Sequence, residues 1–350
     1  METKIFSITN TDNIYEKLKE TAEIIKKGGL VVFPTETVYG LGADATNPEA
    51  TSKIYTAKGR PSDNPLIIHI ATPKDAERYA FVNSAYYLLA EYFMPGPLTV
   101  ILPSRDTVPL TTRGGLTTVA VRCPENVIAR VLIKLSGVAI AAPSANLSGS
   151  PSPTTFEYAY SDMNGRVDAI IDGGDCDFGL ESTIVSINSD NSLTLLRPGK
   201  ITKEDIESLG LKVILANAVT DKLKDSETAI SPGMKYKHYA PKAPLVLLDG
   251  TKEKIVDFIR SKSEIKGKIA VIAYKDEFDY ISGSLANADT YKFGSRNDEI
   301  EQAHLLFKLL RDTDKKNYSV IYAPLPEMRG IGLALYNRMI RAAAHNIIRL

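Results

Sequence analysis

The chain has 350 residues, of which 44% are apolar and 24% charged, and its formal net charge is zero. This composition is typical of a globular protein of about two domains, and it argues against a disordered chain, a fibre or a general polyanion-binding protein. The sequence contains no run of 18 apolar residues and no basic stretch followed by an apolar one at its start. We therefore expect a cytoplasmic protein without a membrane span.

The charge distribution and the two cysteines restrict the kinds of binding site that the chain can contain. Residues 1–210 hold about 19 Lys and Arg against about 25 Asp and Glu, so an anionic ligand there must be bound by a few placed cations. The two cysteines, Cys123 and Cys176, are far apart and have no Cys or His companions at metal-ligand spacing. They are expected to be buried structural thiols.

Helical and strand patterns alternate through the first half of the chain. Thr72 followed by Pro73 is typical of a helix start. The remaining patterns predict helices at residues 13–27 and 48–57 and strands at 30–33, 66–70, 98–102, 117–122, 138–142, 168–171 and 182–187. Because several strand pairs leave no room for a crossover helix, the sheet should be mixed, within an α/β fold.

The second half begins with a polar stretch and then alternates again. Strands are predicted at 245–248, 268–274 and 318–322, and helices at 251–262, 298–311 and 332–346, the pattern of a small Rossmann-like domain with a parallel sheet. The expected organisation is a domain over residues 1–212, a linker or lid over 213–244 and a C-terminal domain over 245–350. The Gly330-Ile331-Gly332 sequence lacks a full dinucleotide fingerprint and is better explained by close helix packing.

The sequence AKGRPSDNPLIIHI at residues 57–70 gathers donors at the start of an apolar strand. If the loop is extended, side chains two apart point the same way and converge on phosphate oxygens. These donors are Lys58, Arg60, Ser62 and Asn64. The alternative is a solvated turn in which Asp63 pairs with Lys58 or Arg60.

Other polar loops follow or precede apolar strands in the same domain. Residues 141–149 (AAPSANLSG) leave a strand, residues 179–183 (GLEST) precede one, and residues 196–199 (LRPG) follow one. Each alone is ordinary turn chemistry. Arg122 differs, because a charge that closes an apolar strand must be solvated or paired.

Residues 28–42 (GGLVVFPTETVYGLG) have the same form of strand, proline, hydroxyls and glycines. Together with KGRPSDNPL, PSANLSG, ESTI, LRPG and SPGMKYKHYAP in matching order, they resemble the YrdC/TsaC threonylcarbamoyl-AMP synthases, in the long form with an extra C-terminal domain. The resemblance implies a twisted α/β fold with a concave, cation-lined cavity. It also implies a nucleotidyltransferase that converts ATP, L-threonine and bicarbonate or CO2 into threonylcarbamoyl-AMP and pyrophosphate, with Mg²⁺ carried by ATP.

The resemblance assigns roles to individual positions. Lys58 and Arg60 would be catalytic. Residues that would bind ATP are Lys58, Arg60, Ser62, Asn64, Thr118, Ser144, Asn146, Arg197 and Tyr236. Residues that would bind threonine and its carbamate are Thr35, His69, Arg122, Ala142 and Ser182. A lone histidine in an apolar strand is usually a core residue, so two interpretations of His69 remain open.

The segment at residues 231–241 combines a hinge-like start with aromatic and cationic side chains. We expect it to fold over the cavity as a lid, since a carbamate and a mixed anhydride both need protection from water. The lid residues would be Ser231, Gly233, Lys235, Tyr236, His238 and Tyr239. A basic surface linker is the alternative interpretation.

The implied product feeds a separate complex that transfers threonylcarbamoyl to an anticodon-loop adenosine of tRNA. A tRNA- or RNA-binding module without synthase activity is the main alternative, but the acidic first domain has no RGG tract and no regular basic-aromatic pattern. Carbamoyl transfer in metallocentre assembly is a second alternative, and the chain lacks the acylphosphatase and zinc-finger segments of those proteins. The C-terminal domain could bind a nucleotide, dock the downstream transferase or steady the lid.

Overall fold

The computed structural model describes residues 2–221, 239–262 and 266–350. The chain forms two compact units, one comprising Met1–Ser148 and Ser152–Tyr236 and the other Gly149–Pro151 and Lys237–Leu350. No helix within the described ranges is both long and apolar enough to cross a membrane.

The first unit is built on one large sheet. Its strands, within residues 2–221, are β1 (Lys4–Ser7), β2 (Val31–Phe33), β3 (Gly40–Asp44), β4 (Ile67–His69), β5 (Leu98–Pro103), β6 (Thr118–Arg122), β7 (Ile140–Ala141), β8 (Ala169–Asp172), β9 (Thr183–Ile187), β10 (Leu193–Arg197) and β11 (Val213–Leu215). They lie in the order β1-β8-β2-β3-β7-β4-β6-β5-β9-β10-β11. The sheet contains parallel pairs such as β4–β6 and antiparallel pairs such as β5–β6, so the predicted mixed sheet is confirmed. Strand β11 extends the sheet into the stretch expected to be linker.

Helices cover this sheet and connect its strands. They are α1 (Ile14–Lys17), α2 (Lys19–Lys26), α3 (Pro48–Lys58), α4 (Ser84–Phe93), α5 (Leu110–Arg113), α6 (Val127–Ser136), α7 (Phe156–Met163) and α8 (Lys203–Glu207), with 3-10 turns at Pro73–Arg78 and Asn217–Val219. The single helix expected at 13–27 is two helices that meet at Leu18. One core cluster packs Ile25 of α2 and Leu132 of α6 against Val31 and Ile171 of the sheet.

Strand β3 is one of several strands that the sequence patterns miss, along with β1 and, in the second unit, the strands Ala288–Lys292 and Ile347–Arg349. It is rich in glycine, and glycine is depleted in strands. A Cβ on Gly42 would lie 2.7 Å from both the Phe33 ring and the Ile140 side chain. The glycine thus lets β3 approach β2 and β7 closely, as expected where a strand must admit a bulky neighbour. Both cysteines are free and buried, which confirms their predicted structural role.

The second unit carries a parallel sheet with a helix after each of its first four strands. Its elements within the described residues are β12 (Leu245–Asp249), α9 (Lys252–Ser261), β13 (Lys268–Ala273), α10 (Phe278–Ser284), β14 (Ala288–Lys292), α11 (Glu299–Thr313), β15 (Tyr318–Pro324), α12 (Gly332–Ala342) and β16 (Ile347–Arg349). The strand order is β14-β13-β15-β12-β16, with every neighbouring pair parallel, so the prediction of a smaller parallel α/β domain is confirmed. Strand β15 lies between β13 and β12, where the usual Rossmann order would place those two side by side. A Cβ on Gly332 would lie 2.6 Å from the Glu327 carbonyl oxygen, which fits the predicted role of this glycine in close packing.

Three residues from the middle of the chain also belong to the second unit. The Arg311 side chain of α11 donates from Nε to the carbonyl oxygen of Pro151 over 3.0 Å. The backbone N–H of Ala240 donates to the carbonyl oxygen of Gly149, also over 3.0 Å. The segment Gly149–Pro151 is therefore held by hydrogen bonds from two separate parts of this unit.

Candidate functional site

Lys58 is the last residue of α3 and turns inward. Asn47 caps this helix by accepting from the backbone N–H groups of Glu49 and Ala50, and Gly59 ends it in the left-handed conformation at φ 61°. The Lys58 ammonium is buried and donates to the carbonyl oxygens of Ser144 and Asn146, at 2.5 Å each. The helix end thereby joins the loop that precedes β4 to the polar loop that follows β7.

The loop after Lys58 is not extended as expected. Gly59 reverses the chain and Ser62 lies in a turn, so the two-residue periodicity of an extended segment does not apply. Lys58 and Asn64 are buried, whereas Ser62 is exposed. Arg60 donates to the Pro65 carbonyl oxygen over 3.2 Å, and the Asn64 Oδ1 atom is buried without a hydrogen-bond partner among the described residues.

The loop after β7 is closed by its own side chains. Ser144 donates from its hydroxyl to Asn146 Oδ1 at 2.5 Å, and Asn146 donates from Nδ2 to the Leu147 carbonyl oxygen at 2.8 Å. Ala142, before the loop, is buried and donates its backbone N–H to Ile67 of β4. Lys58, Ser144 and Asn146 thus form one hydrogen-bonded group.

Arg122 ends β6 in a buried ion pair with Glu36. Its terminal NH2 nitrogen lies 2.6 Å from Glu36 Oε1, and each side chain is 4% exposed. Arg122 Nε and Glu36 Oε2 are also buried, and neither has a hydrogen-bond partner among the described residues. The ion pair therefore gives one polar atom of each charged group a partner. It leaves Arg122 Nε as a donor and Glu36 Oε2 as an acceptor without a partner among the described residues.

His69 lies beside Arg122 in the parallel register of β4 and β6. Its ring is buried and meets Phe33 edge-on, with ring centroids 6.2 Å apart. Burial, with smaller contributions from the positive charges of Arg122 and Arg197, lowers its pKa to about 3. His69 is therefore neutral near pH 7, and its buried Nδ1 has no hydrogen-bond partner in the described structure.

Ser182 and Arg197 meet just before β9 and at the end of β10. Arg197 donates from Nε to the Ser182 carbonyl oxygen at 3.0 Å and from NH2 to its hydroxyl at 3.1 Å. The Ser182 hydroxyl also lies 2.7 Å from the Thr99 hydroxyl. Since Thr99 pairs with Arg122 in the register of β5 and β6, these hydroxyls lie close to the Arg122–Glu36 pair.

Thr35 and Thr118 occupy different parts of this unit. Thr35 is buried and closes a tight turn, donating its hydroxyl to the Val38 carbonyl oxygen at 2.6 Å while accepting from the Thr37 and Val38 N–H groups. Thr118 begins β6, on the same face as Arg122 but about 13 Å further along the strand. An apolar patch that includes Ala120 separates the two residues on this face.

The structure adds two residues that sequence analysis did not single out. Glu36 lies inside the quoted PTETVYG sequence but had no role there, and Thr99 lies in an ordinary apolar strand. A buried position for Arg122 demands an anionic partner, which was the available signal for Glu36. Nothing in the pattern of β5 points to Thr99.

Part of the expected lid lies outside the described residues. This part comprises Ser231, Gly233, Lys235, Tyr236 and His238. Tyr239 is described, and it is buried in the second unit with its ring stacked on Phe307 at 5.1 Å between centroids. Its backbone has a φ of 64°, a conformation that non-glycine residues seldom adopt.

Comparison with known proteins covers both units. A family model described as "Telomere recombination" (Sua5_yciO_yrdC) matches residues 23–199, and one described as "Threonylcarbamoyl-AMP synthase, C-terminal domain" matches residues 201–344. The chain is 42% identical to a threonylcarbamoyl-AMP synthase of Pyrococcus abyssi, over 97% of this chain and 98% of the relative. It is 40% identical to a threonylcarbamoyl-AMP synthase of Bacillus subtilis over the full length of both.

A solved structure is similar over the same extent. The crystal structure of P. abyssi Sua5 complexed with L-threonine has a TM-score of 0.90 and 39% identity, covering 100% of each chain. The likeness therefore extends over both units of the chain. On these matches, the chain belongs to the family of long, two-domain threonylcarbamoyl-AMP synthases.

Proposed function

We propose that this chain joins ATP, L-threonine and bicarbonate or CO2 into L-threonylcarbamoyladenylate and releases pyrophosphate. Membership of the synthase family makes it an enzyme that forms an adenylate. The observation that carries the proposal at the level of residues is a set of buried, unpartnered polar atoms, on Glu36, His69 and Arg122. Folded proteins rarely leave such atoms unsatisfied without a functional reason.

The threonine side of the site is centred on Arg122. Its buried Nε is a charged donor suited to the amino-acid carboxylate, and Glu36 Oε2 is an acceptor suited to the threonine amine or hydroxyl. Neutral His69 offers a further buried polar atom beside them. In this proposal Ser182, oriented by Arg197 and Thr99, and the Thr35 turn complete the pocket, with Ala142 as an apolar wall.

The ATP side of the site uses the group formed by Lys58, Ser144 and Asn146. Lys58 brings positive charge to the loop after β7, and nearby Arg60 and the Asn64 amide supply further donors for phosphate oxygens. Arg197 binds Ser182 and its charge acts on His69, and in this proposal its guanidinium also contacts the nucleotide. We assign peripheral nucleotide contacts to Ser62, which is exposed, to Thr118, which begins β6, and to Tyr236, which lies outside the described residues.

The reactants themselves supply the bonds in this mechanism. The threonine amine attacks CO2 to give a carbamate and loses a proton, and a carbamate oxygen then attacks the α-phosphorus of ATP. The bond from that phosphorus to the bridging oxygen breaks, and the electron pair leaves with pyrophosphate. Positioning and charge stabilisation by Lys58, Arg60 and Arg197 are then the enzyme's contributions, with no covalent enzyme intermediate.

Mg²⁺ enters this proposal as part of the ATP substrate. Among the described residues, no three His, Cys, Asp or Glu side chains form a group that could hold a metal ion. The ion would therefore be bound mainly by the phosphates, as is usual for nucleotide-bound Mg²⁺. The product, a mixed anhydride that hydrolyses readily, would pass in the cytoplasm to a tRNA threonylcarbamoyl transferase complex.

An omission experiment tests the proposal directly. The protein is incubated with ATP and Mg²⁺, leaving out threonine or bicarbonate in turn, and released pyrophosphate is measured. We expect pyrophosphate only in the complete mixture, since the nucleophile exists only when both are present. Equal release without threonine would contradict the assignment, and a gel shift with tRNA in its place would favour an RNA-binding role.

A further inference from the structure

A cavity in the first unit lies apart from the residues discussed above. It has a volume of about 420 Å³ and is bordered by the 3-10 turn Pro73–Arg78, by helix α6 and by the residues that lead into β7. None of the candidate ATP or threonine residues lines it. A volume of this size is typical of sites for small organic ligands.

The charges around this cavity are mostly positive. Arg78, Arg130 and Lys134 line it, and Asp75 is the acidic residue among its described lining residues. Asp75 is already engaged, because its carboxylate accepts from the backbone N–H and the hydroxyl of Thr72 at 2.9 Å each. Three cations around one cavity are notable in the half of the chain that has an acidic excess.

Of the three cations, Arg130 is the one with a buried hydrogen-bond donor that has no acceptor among the described residues. Its side chain is half-buried, and its Nε is fully buried without a hydrogen-bond partner within the described structure. Arg78 donates to the Gly137 carbonyl oxygen over 3.2 Å, which leaves further N–H groups on its guanidinium. A buried guanidinium donor without an acceptor is uncommon, and an oxyanion is the ligand that it binds best.

The apolar part of the cavity defines the rest of the ligand. Tyr15 and Val127 line it, and the Lys134 ammonium lies 5.6 Å from the centre of the Tyr15 ring. We propose that this cavity, which we call the Arg130 cavity, binds a small organic anion. A carboxylate or phosphate group would be held by Arg130, Arg78 and Lys134, and an apolar or aromatic body would pack on Tyr15 and Val127.

Binding to the full-length protein can be measured by isothermal titration calorimetry with three probes of similar size. Phenyl phosphate and benzoate carry the two oxyanion types, and benzyl alcohol is the neutral control. We expect at least one anion to bind at one site at least tenfold more tightly than benzyl alcohol. Which anion binds distinguishes a phosphate ligand from a carboxylate ligand, and the absence of saturable binding by both would overturn the proposal.

Variants locate the binding site. Arg130→Gln should weaken binding by at least tenfold and Arg130→Lys by less, because lysine keeps the charge but loses the planar guanidinium. Lys134→Gln, at an exposed position, should weaken binding severalfold without affecting folding. Lys19→Gln is the matched control, since that exposed lysine pairs with Glu16 and does not line the cavity.

Two results would contradict the assignment to this cavity. One is unchanged affinity in both Arg130→Gln and Lys134→Gln when circular dichroism shows that they are folded. The other is loss of probe binding in Lys58→Ala, which would place the anion in the candidate ATP site. Because no threonine or ATP is present, these outcomes are independent of the synthase reaction.

Discussion

The guanidinium of Arg122 and the carboxylate of Glu36 lie 2.6 Å apart in the interior of the first unit, 86 residues apart in sequence. Each keeps one buried polar atom without a hydrogen bond. Removing one member of such a pair leaves an uncompensated charge and costs about 3–5 kcal/mol, whereas replacing both by apolar residues is often nearly neutral. This asymmetry allows a role in stability to be separated from a role in substrate binding.

We predict that the double variant Glu36→Leu/Arg122→Met folds with nearly the stability of the parent and loses threonine-dependent pyrophosphate release. The single variant Arg122→Met should be less stable by about 3–5 kcal/mol, because Glu36 would then be buried without a partner. Urea denaturation and the pyrophosphate assay measure the two effects. A double variant that still responds to threonine would exclude Arg122 from the threonine site.

Lys58→Ala should lower turnover about 100-fold or more, because in the proposed mechanism this cation stabilises the charge that develops on the phosphates. Its hydrogen bonds to Ser144 and Asn146 also predict some loss of stability. Both kcat and the KM for ATP should be determined below the melting temperature of the variant. Lys26→Ala, at an exposed helical position that pairs with Glu23, is the control and should retain parental kinetics. A purely structural Lys58 would give a lower melting temperature with unchanged kcat.

His69 should make folding stability depend on pH in a defined direction. Its pKa is lowered from 6.5 to about 3 in the folded protein, so the unfolded chain binds more protons between these values. The free energy of unfolding should therefore fall by about 1 kcal/mol per pH unit, on account of this residue, as the pH decreases from about 6.5 towards 3. Above about pH 6.5 its contribution should be constant.

Denaturation of His69→Asn across this pH range tests the assignment. The variant should show a shallower decline in stability at acidic pH than the parent protein. His304→Asn, in the second unit and only partly buried, is the control. Identical pH profiles for the parent and His69→Asn would mean that His69 is not held neutral by burial.

Gly42→Ala should destabilise the first unit by about 1–3 kcal/mol, because the new methyl group would lie 2.7 Å from the Phe33 ring and the Ile140 side chain. Gly283→Ala provides a matched comparison, since a Cβ there meets nothing within 4 Å and the residue lies in helix α10. That substitution should stabilise by about 0.5–1 kcal/mol. Chemical denaturation of both variants checks the pair, and equal effects would contradict the packing role of Gly42.

The sequence predicted the fold class well, because strands such as β5 and β6 and the alternation in the second unit carry strong local patterns. It missed β3, whose glycines serve contacts with distant side chains and leave no hydrophobic period. It also placed Lys58 in an extended loop, although that residue closes a helix. Local sequence patterns indicate which helix or strand forms. Contacts with neighbouring elements determine where its side chains point.

The candidate site shows the same limit of prediction from sequence. The polar loops could be ordered along the chain from sequence, and the structure brings Lys58 to Ser144 and Asn146 as one group. Which cation meets which partner depends on contacts between residues more than 80 positions apart, as for Glu36 and Arg122. No local pattern contains that information, so Glu36 and Thr99 emerged only from the folded chain.

The segment Gly149–Pro151 belongs to the second unit although both of its chain neighbours belong to the first. This affects where the chain can be cut to produce a separate N-terminal fragment. A fragment that ends at residue 221 would keep these three residues. It would lose Arg311 and Ala240, which donate hydrogen bonds to the carbonyl oxygens of Pro151 and Gly149. The segment Gly149–Pro151 directly follows Ser148, whose backbone N–H donates to the Lys58 carbonyl oxygen. Removing the C-terminal unit would thus loosen the chain next to Ser148 and its contact with Lys58, the proposed phosphate-binding residue. We therefore expect an isolated N-terminal fragment to be less active than the full chain.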